Sequence, residues 1–582
     1  MRKRMLAALV ALLAGFQVMN AIPARPGRFT AIQPDGTRLT LERHGDEWGH
    51  WFTDASGRMF QQDEDGFYRV ISDSEATAIR EHASARRIAR RSTQGRRAMA
   101  RSGQNAVLGR RHFLVILVEF NNLSFKEAND SLAFTNLMNQ VGYSANGGTG
   151  SARDFYYDNS HGRFEPIFDV YGPVKLTKDY SYYGKNDSWG NDQHAEEAVA
   201  EGCIALDDEI DFSLYDNDGD GKVDLVFMYY AGRGEADGGG SNTIWPHQWE
   251  LTSAGINLAL DGVTVDSYAC SSELAGYSGT FTGVGTACHE FGHAMGLPDF
   301  YDTDYETNGE AGALYSYSTM CGGAYNNDGR TPPYFNFEER MLLGWVDESD
   351  YLTFDRTGDY TILPIDGDVA YRTFTDMDGE YFVYENRTKT GWDLYLPGEG
   401  MIVYHVDKST RKVSGSTTAK ALWDNWHDTN SINAKGSHPC FYIVPAASQS
   451  SLNYYYESRM PFPYGDVNTY VPNSWNGVDG PVSFSRISFA NGQVSLYAKV
   501  NTGDLDYPTI ADPGNYTAGS RFTFALTQSE TVAAPASVVW YFDDEPAGAD
   551  SVTLTAGAHI IEAVLTYANG RRSVLSLEIN VQ

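Results

Sequence analysis

The chain has 582 residues, 42% hydrophobic and 13% aromatic, and a formal charge of −32 from 44 basic and 76 acidic side chains. That length exceeds one ordinary core and asks for three or four domains, while the composition excludes a disordered or fibrous chain. So acidic a protein is a poor match for nucleic acid or an anionic membrane, since both need a positive surface.

Read from the N-terminus, Arg2, Lys3 and Arg4 form a basic start before an apolar run over 5–16, too short to span a bilayer. With Val18-Met19-Asn20-Ala21 behind it, this is the pattern of a secretory signal over 1–21, cut after Ala21. No later stretch holds 18 uninterrupted apolar residues, so the expectation is a secreted, extracellular protein without membrane insertion. Five cysteines (Cys203, Cys270, Cys288, Cys321, Cys440) are too few for a disulfide scaffold. Their odd number leaves at least one unpaired or bonded to another chain.

Residues 22–79 read as a small unit of short strands broken by turn signals such as Pro34-Asp35-Gly36 and Asp65-Gly66. Between Arg80 and Arg111 ten arginines accompany a single acid, Glu81. Exposed, extended basic backbone is what a trypsin-like protease needs. The expectation is an N-terminal propeptide over 22–79, a processing linker over 80–111 and a trypsin-like activating protease as partner. The N-terminal unit holds no cysteine, so a thiol from it cannot silence a metal site. An acidic or histidine side chain, or steric blockage of the cleft, is left.

Beyond the linker, 112–120 reads as a buried strand, 131–141 and 193–206 as helices, 223–230 as a strand and 283–295 as a helix. This mixture predicts an α+β domain over 112–354. From Tyr360 the pattern turns to strands with polar turns, predicting a β-rich domain over 355–500 and a linker over 501–513. Strands near 537–542, 559–567 and 573–581 make 514–582 an immunoglobulin-like β-sandwich candidate.

The chemistry concentrates in His289-Glu290-Phe291-Gly292-His293. On a helix, residues four apart share a face, so both imidazoles can reach one ion. Zinc accepts histidine nitrogens and, in hydrolytic sites, keeps a position open for water. Glu290 adjoins a ligand and can take the proton of that water as it attacks a carbonyl. Chance supplies such a pentapeptide only about 0.04 times in a chain of this composition. Gly296 follows where a helix can stop, and a chain turning there can bring Asp299 back as a third ligand. Asp302 is the close rival, and Glu306 or His247 would fit a different geometry.

The segment HEFGHAMGLPDFYD over 289–302 resembles the immune inhibitor A family of secreted bacterial metallopeptidases. The resemblance extends to Ala152-Arg153-Asp154-Phe155-Tyr156-Tyr157, Ile244-Trp245-Pro246-His247, Leu343-Gly344-Trp345 and the runs 381–387 and 400–407, covering roughly 110–500. It implies that H-E-x-x-H-x-x-G-x-x-D supplies the zinc site, within a zincin or metzincin-like domain whose methionine turn forms an apolar floor. Ser318-Thr319-Met320 fits that turn, 27 residues after His293. Tyr325 or Tyr317 could stabilise the oxyanion.

A second ion is suggested by Asp216, Asp218, Asp220 and Asp224, spaced around Gly219 and Gly221. Calcium wants six to eight oxygens, and such a loop supplies several. The spacing is that of the first half of an EF-hand loop, but position twelve would be Phe227 and the bidentate glutamate is missing.

Together these features predict a secreted zinc-dependent endopeptidase made as a zymogen and acting on protein or peptide substrates, with Zn(2+) and Ca(2+) as cofactors. The rival readings are an adhesion or binding protein with a degenerate peptidase domain and a hydrolase of non-peptide substrates.

Overall fold

The structure is a computed structural model. It describes residues 22–582 apart from 64, 90–106, 277, 305–307, 310, 368, 410–421, 428, 448–453, 501–508, 528–534, 544 and 567–571. The expected signal over 1–21, the arginine pairs within 90–106, Glu306 and the first part of the linker at 501–513 lie outside the described residues. Among the described residues, no helix is long and apolar enough to cross a membrane.

Five antiparallel strands open the chain: Arg28–Ile32, Arg38–Asp46, Gly49–Asp54, Met59–Gln62 and Tyr68–Val70. Each pairs with its neighbour in sequence, as polar turns between short strands require. The helix Asp73–Ala89 then lies on the third strand. It runs across the expected boundary at 79. Ala76, Ile79 and Ala83 recur at helical spacing and are buried, so the first arginines of the supposed linker are carried on a docked helix. At the other end, Gly109, Arg110 and Arg111 already belong to the strand Gly109–Glu119.

That strand lies inside a six-stranded sheet, one place from its edge. Parallel pairing joins it to Phe164–Lys175 on one side and Val226–Arg233 on the other, and Ser267–Ala275 continues the sheet beyond. Both faces are covered, which explains why the run from Phe113 to Val118 is apolar without alternation. Phe113, Val115 and Leu117 face the core that contains Phe291 and Met320. Leu114, Ile116 and Val118 face the opposite core, built with the helix Ala195–Ala205.

The strands expected after residue 355 are present. Glu380–Arg387 and Gly400–Asp407 are buried along their whole length. One face, with Tyr381, Val383, Ile402 and Tyr404, joins the same core as Phe291 and Met320. The other, with Phe382, Tyr384, Met401 and Val403, packs with residues of Gly358–Ile362, Val482–Ala490 and Gln493–Val500. Residue 354 is therefore not a boundary of the core, and the β-rich part braces the α/β part. Residues beyond 508 form a separate apolar cluster beneath the strands Ser537–Phe542, Gly557–Thr566 and Arg572–Val581. The protein is thus a mixed α/β unit followed by β-rich ones.

Candidate active site

The helix Gly285–Ala294 carries the motif. It is buried from Gly285 to His293, and two of its glycines are required by contact. A Cβ on Gly285 would lie 1.9 Å from the carbonyl oxygen of Ala324, and one on Gly292 would lie 2.6 Å from Met320 Sδ. Met320 thus packs directly against the motif helix. The segment 152–157 matters for the same reason: the Tyr156 hydroxyl donates to the Cys288 carbonyl, and its ring meets Phe291 at 5.0 Å.

Gly296, at φ +102°, ends the helix with its amide on the His293 carbonyl, while Leu297 N donates to Gly292 O. The turn brings Asp299 back over the two histidines. His289 Nδ1 donates to Thr319 O at 2.8 Å and His293 Nδ1 to Leu297 O at 2.7 Å. A carbonyl can only accept, so each ring carries a proton on Nδ1, and in its neutral form presents a lone pair at Nε2. The two Nε2 atoms are 3.0 Å apart, and Asp299 Oδ1 is 3.3 Å from each. Three buried ligand atoms of the types zinc accepts converge. Zinc at about 2.0–2.1 Å from each, at tetrahedral angles, separates its ligands by about 3.3 Å. The donor set fits that ion.

Of the rivals, Asp302 accepts from the amides of Asp304 and Ala311, and His247 is held between Trp245 O and the Tyr268 hydroxyl. Neither belongs to the group in which His289, His293 and Asp299 converge.

Glu290 lies on the same helix turn and is fully buried. Burial pushes its carboxyl up to about 8, against the pull of His289 and of an amide from the N-terminal unit. That amide is Ile22 N, which donates to Glu290 Oε1 at 2.9 Å. Oε2 has no hydrogen-bond partner among the described residues. The Ile22 carbonyl accepts from Trp245 Nε1 at 3.0 Å, and the Pro23 carbonyl from the Tyr325 hydroxyl at 2.8 Å. An extended stretch of the N-terminal unit therefore lies on the glutamate by its main chain. The expectation left a choice between an acidic or histidine side chain and steric blockage of the cleft; the contact on Glu290 is a backbone N–H. The contacts also separate the two tyrosines: Tyr325 meets the peptide carbonyl in the cleft, whereas the Tyr317 hydroxyl donates to Glu457 O on the β-rich side.

One residue at the candidate site, Asn430, has no sequence signal. Asn430 binds Asp299, its Oδ1 accepting from Asp299 N and its Nδ2 donating to Asp299 Oδ2. Trp245 was noted only as part of a family segment.

In the acidic loop, carboxylates of Asp216, Asp218 and Asp220 come within 4.8 Å of one another. Asp224 is not in that group; its Oδ2 accepts from Asn217 Nδ2. All five cysteines are buried.

Residues 112–342 match the family model described as immune inhibitor A peptidase M6, catalytic domain. The chain is 28% identical over 233 residues to the pre-pro-metalloprotease PrtV of Vibrio cholerae serotype O1, covering 36% of this chain and 25% of that protein. It is 28% identical over 234 residues to Immune inhibitor A of Bacillus thuringiensis subsp. alesti, covering 34% of each. The chain thus spans about a quarter to a third of the length of these curated relatives. The solved structure of wild-type OgpA from Akkermansia muciniphila aligns over 81% of this chain and 93% of that one, at 12% identity and a TM-score of 0.22, too low to carry an argument. The resemblance read from the motif therefore holds over a metallopeptidase catalytic domain.

Proposed function

We propose, on the premise of an immune inhibitor A-type metallopeptidase domain over 112–342, that this chain is a secreted zinc-dependent endopeptidase made as a zymogen. One observation carries the reading: two Nε2 atoms and a carboxylate oxygen converge within 3.0–3.3 Å beside a buried glutamate. His289, His293 and Asp299 would hold the ion. Zinc in such a site supplies Lewis acidity toward a carbonyl and a water.

The chain's own residues do the rest. Glu290 takes a proton from the attacking water at its carboxylate and returns it to the leaving amine. Tyr325, whose hydroxyl meets the Pro23 carbonyl, donates to a substrate carbonyl in the same place and opposes the charge that develops on it. Thr319 O and Leu297 O hold both imidazoles in the tautomer that leaves Nε2 free.

Latency follows from the same contacts. With Ile22 N on Glu290 and residues 22–23 across Trp245 and Tyr325, substrate has no access to the base. Signal removal after Ala21 would turn the Ile22 amide into an ammonium and the contact into an ion pair. Cleavage in the arginine stretch, by a trypsin-like protease, would release the unit. The proposal further includes a metzincin-like catalytic fold, a structural calcium ion at Asp216, Asp218 and Asp220, and an immunoglobulin-like sandwich at 514–582.

The test is casein hydrolysis by the zinc-loaded chain after nicking within 80–111, together with metal analysis. Activity should vanish with chelator and return with zinc. Casein left intact by protein containing stoichiometric zinc would overturn the reading.

A further inference from the structure

The N-terminal stretch that covers Glu290 does more than block it. Three residues beyond Ile22, the Arg25 side chain enters a pocket of the α/β part. Its Nη1 donates to Asp237 Oδ1 at 2.7 Å and its Nη2 to Asp328 Oδ1 at 2.9 Å. The guanidinium lies 5.1 Å from the centre of the Tyr325 ring. Gly276 forms the wall: its amide donates to the same Asp237 oxygen, and a side chain there would touch the guanidinium at 3.6 Å. The backbone follows the same path, Arg25 N reaching Ala236 O at 3.4 Å.

Two carboxylates and an aromatic face suit a planar, delocalised cation better than a compact ammonium. Asp237 is only 3% exposed, and the cation that meets it comes from the N-terminal unit. Once that unit leaves, a carboxylate within a walled pocket has lost its counter-charge, an unfavourable state that any incoming guanidinium relieves. The pocket is also continuous with the peptide track, because Tyr325 both meets the Pro23 carbonyl and supplies the ring under Arg25.

We propose that Asp237, Asp328 and the ring of Tyr325 form a substrate subsite that selects an arginine side chain, occupied in the zymogen by Arg25. This rests on the peptidase reading above and adds to it a substrate class: peptides with arginine about three residues from the position facing Glu290. An anchor serving only to hold the N-terminal unit would make the same contacts but confer no preference on the enzyme.

The two are separated by digesting a defined mixture of unstructured peptides with the zinc-loaded chain nicked within 80–111, and counting residues at each position around the cuts. Arginine should be enriched at one position, at least about tenfold over alanine, and the enrichment should collapse in Asp237→Ala. Cleavage with no basic preference would overturn the subsite while leaving the peptidase standing. No cleavage at all would overturn both. Should Asp237→Ala not fold, the peptide Ile-Pro-Ala-Arg, the sequence of 22–25, should inhibit the nicked wild-type chain at least about tenfold better than Ile-Pro-Ala-Ala. Equal inhibition would overturn the proposal.

Discussion

Asn430 grips Asp299 at both ends: its Oδ1 accepts from the Asp299 amide and its Nδ2 donates to Asp299 Oδ2, each at 2.7 Å. The two residues are 131 positions apart. With Oδ2 engaged, Oδ1 is the oxygen left to face His289 and His293. Asn430 itself sits at φ +50°, a left-handed conformation that asparagine tolerates better than most residues. Partners that orient ligands typically contribute 10–100-fold to metal affinity.

Asn430→Gly keeps the left-handed backbone and removes the grip. Zinc affinity, measured by competition with a chromophoric chelator, should fall about 10–100-fold. Asn430→Asp should be worse, since it sets a second carboxylate against Oδ2. Unchanged affinity in both would show that Asp299 needs no such support.

Glu290→Gln should separate holding the ion from using it. The ligands are untouched, so zinc content should stay at one per chain while peptide hydrolysis falls by about 10²–10⁴-fold. Paired metal analysis and turnover measurements decide it. Near-wild-type turnover would leave Glu290 without a catalytic part.

Ile22 is fully buried against Ala236, Trp245, Ala324 and Tyr325. Ile22→Asp places a charge in that apolar contact and a carboxylate beside Glu290, which should lift the stretch from the cleft. The un-nicked variant is expected to cleave a short peptide at a rate approaching that of the nicked wild type. Persistent latency in this variant would argue that the N-terminal unit silences the enzyme by other contacts.

Glu457 gives a pH dependence with a definite sign. Burial pushes its carboxyl up to about 8, against a hydrogen bond from Ser316, from an ordinary value of 4.5; Oε2 accepts that bond and Oε1 has no hydrogen-bond partner among the described residues. A carboxyl protonated when folded and ionised when unfolded favours the fold fully below about 4.5, and that contribution is lost as the pH rises through about 8. Wild type should therefore lose stability between those values relative to Glu457→Gln, which stays neutral, by a few kcal/mol at most. Melting temperatures at about pH 5 and pH 8 test this. Parallel pH profiles of the two proteins would contradict it.

Much of the site was legible because its signals are local. Four residues separate His289 from His293, which is one helical turn, and Gly296 allows the reversal that returns Asp299 three residues later. Met320 was placed by resemblance, and Gly292 shows why it is needed, since no side chain fits between the helix and the Met320 sulfur. The helix Asp73–Ala89 was hidden in the sequence because arginine density outweighed the modest stripe of Ala76, Ile79 and Ala83.

The order of residues alone determined which groups could carry the chemistry and which strands and helices would present them, because helical and strand periodicities act over a few residues. Only the folded chain decided that Asn430 would brace Asp299, that the β-rich part would share a core with Phe291, and that Ile22 and Arg25 would lie across the cleft. Those contacts join residues distant in sequence, 131 positions apart for Asn430 and Asp299 and 268 for Ile22 and Glu290. They depend on how buried faces match in three dimensions, and no spacing along the chain records that.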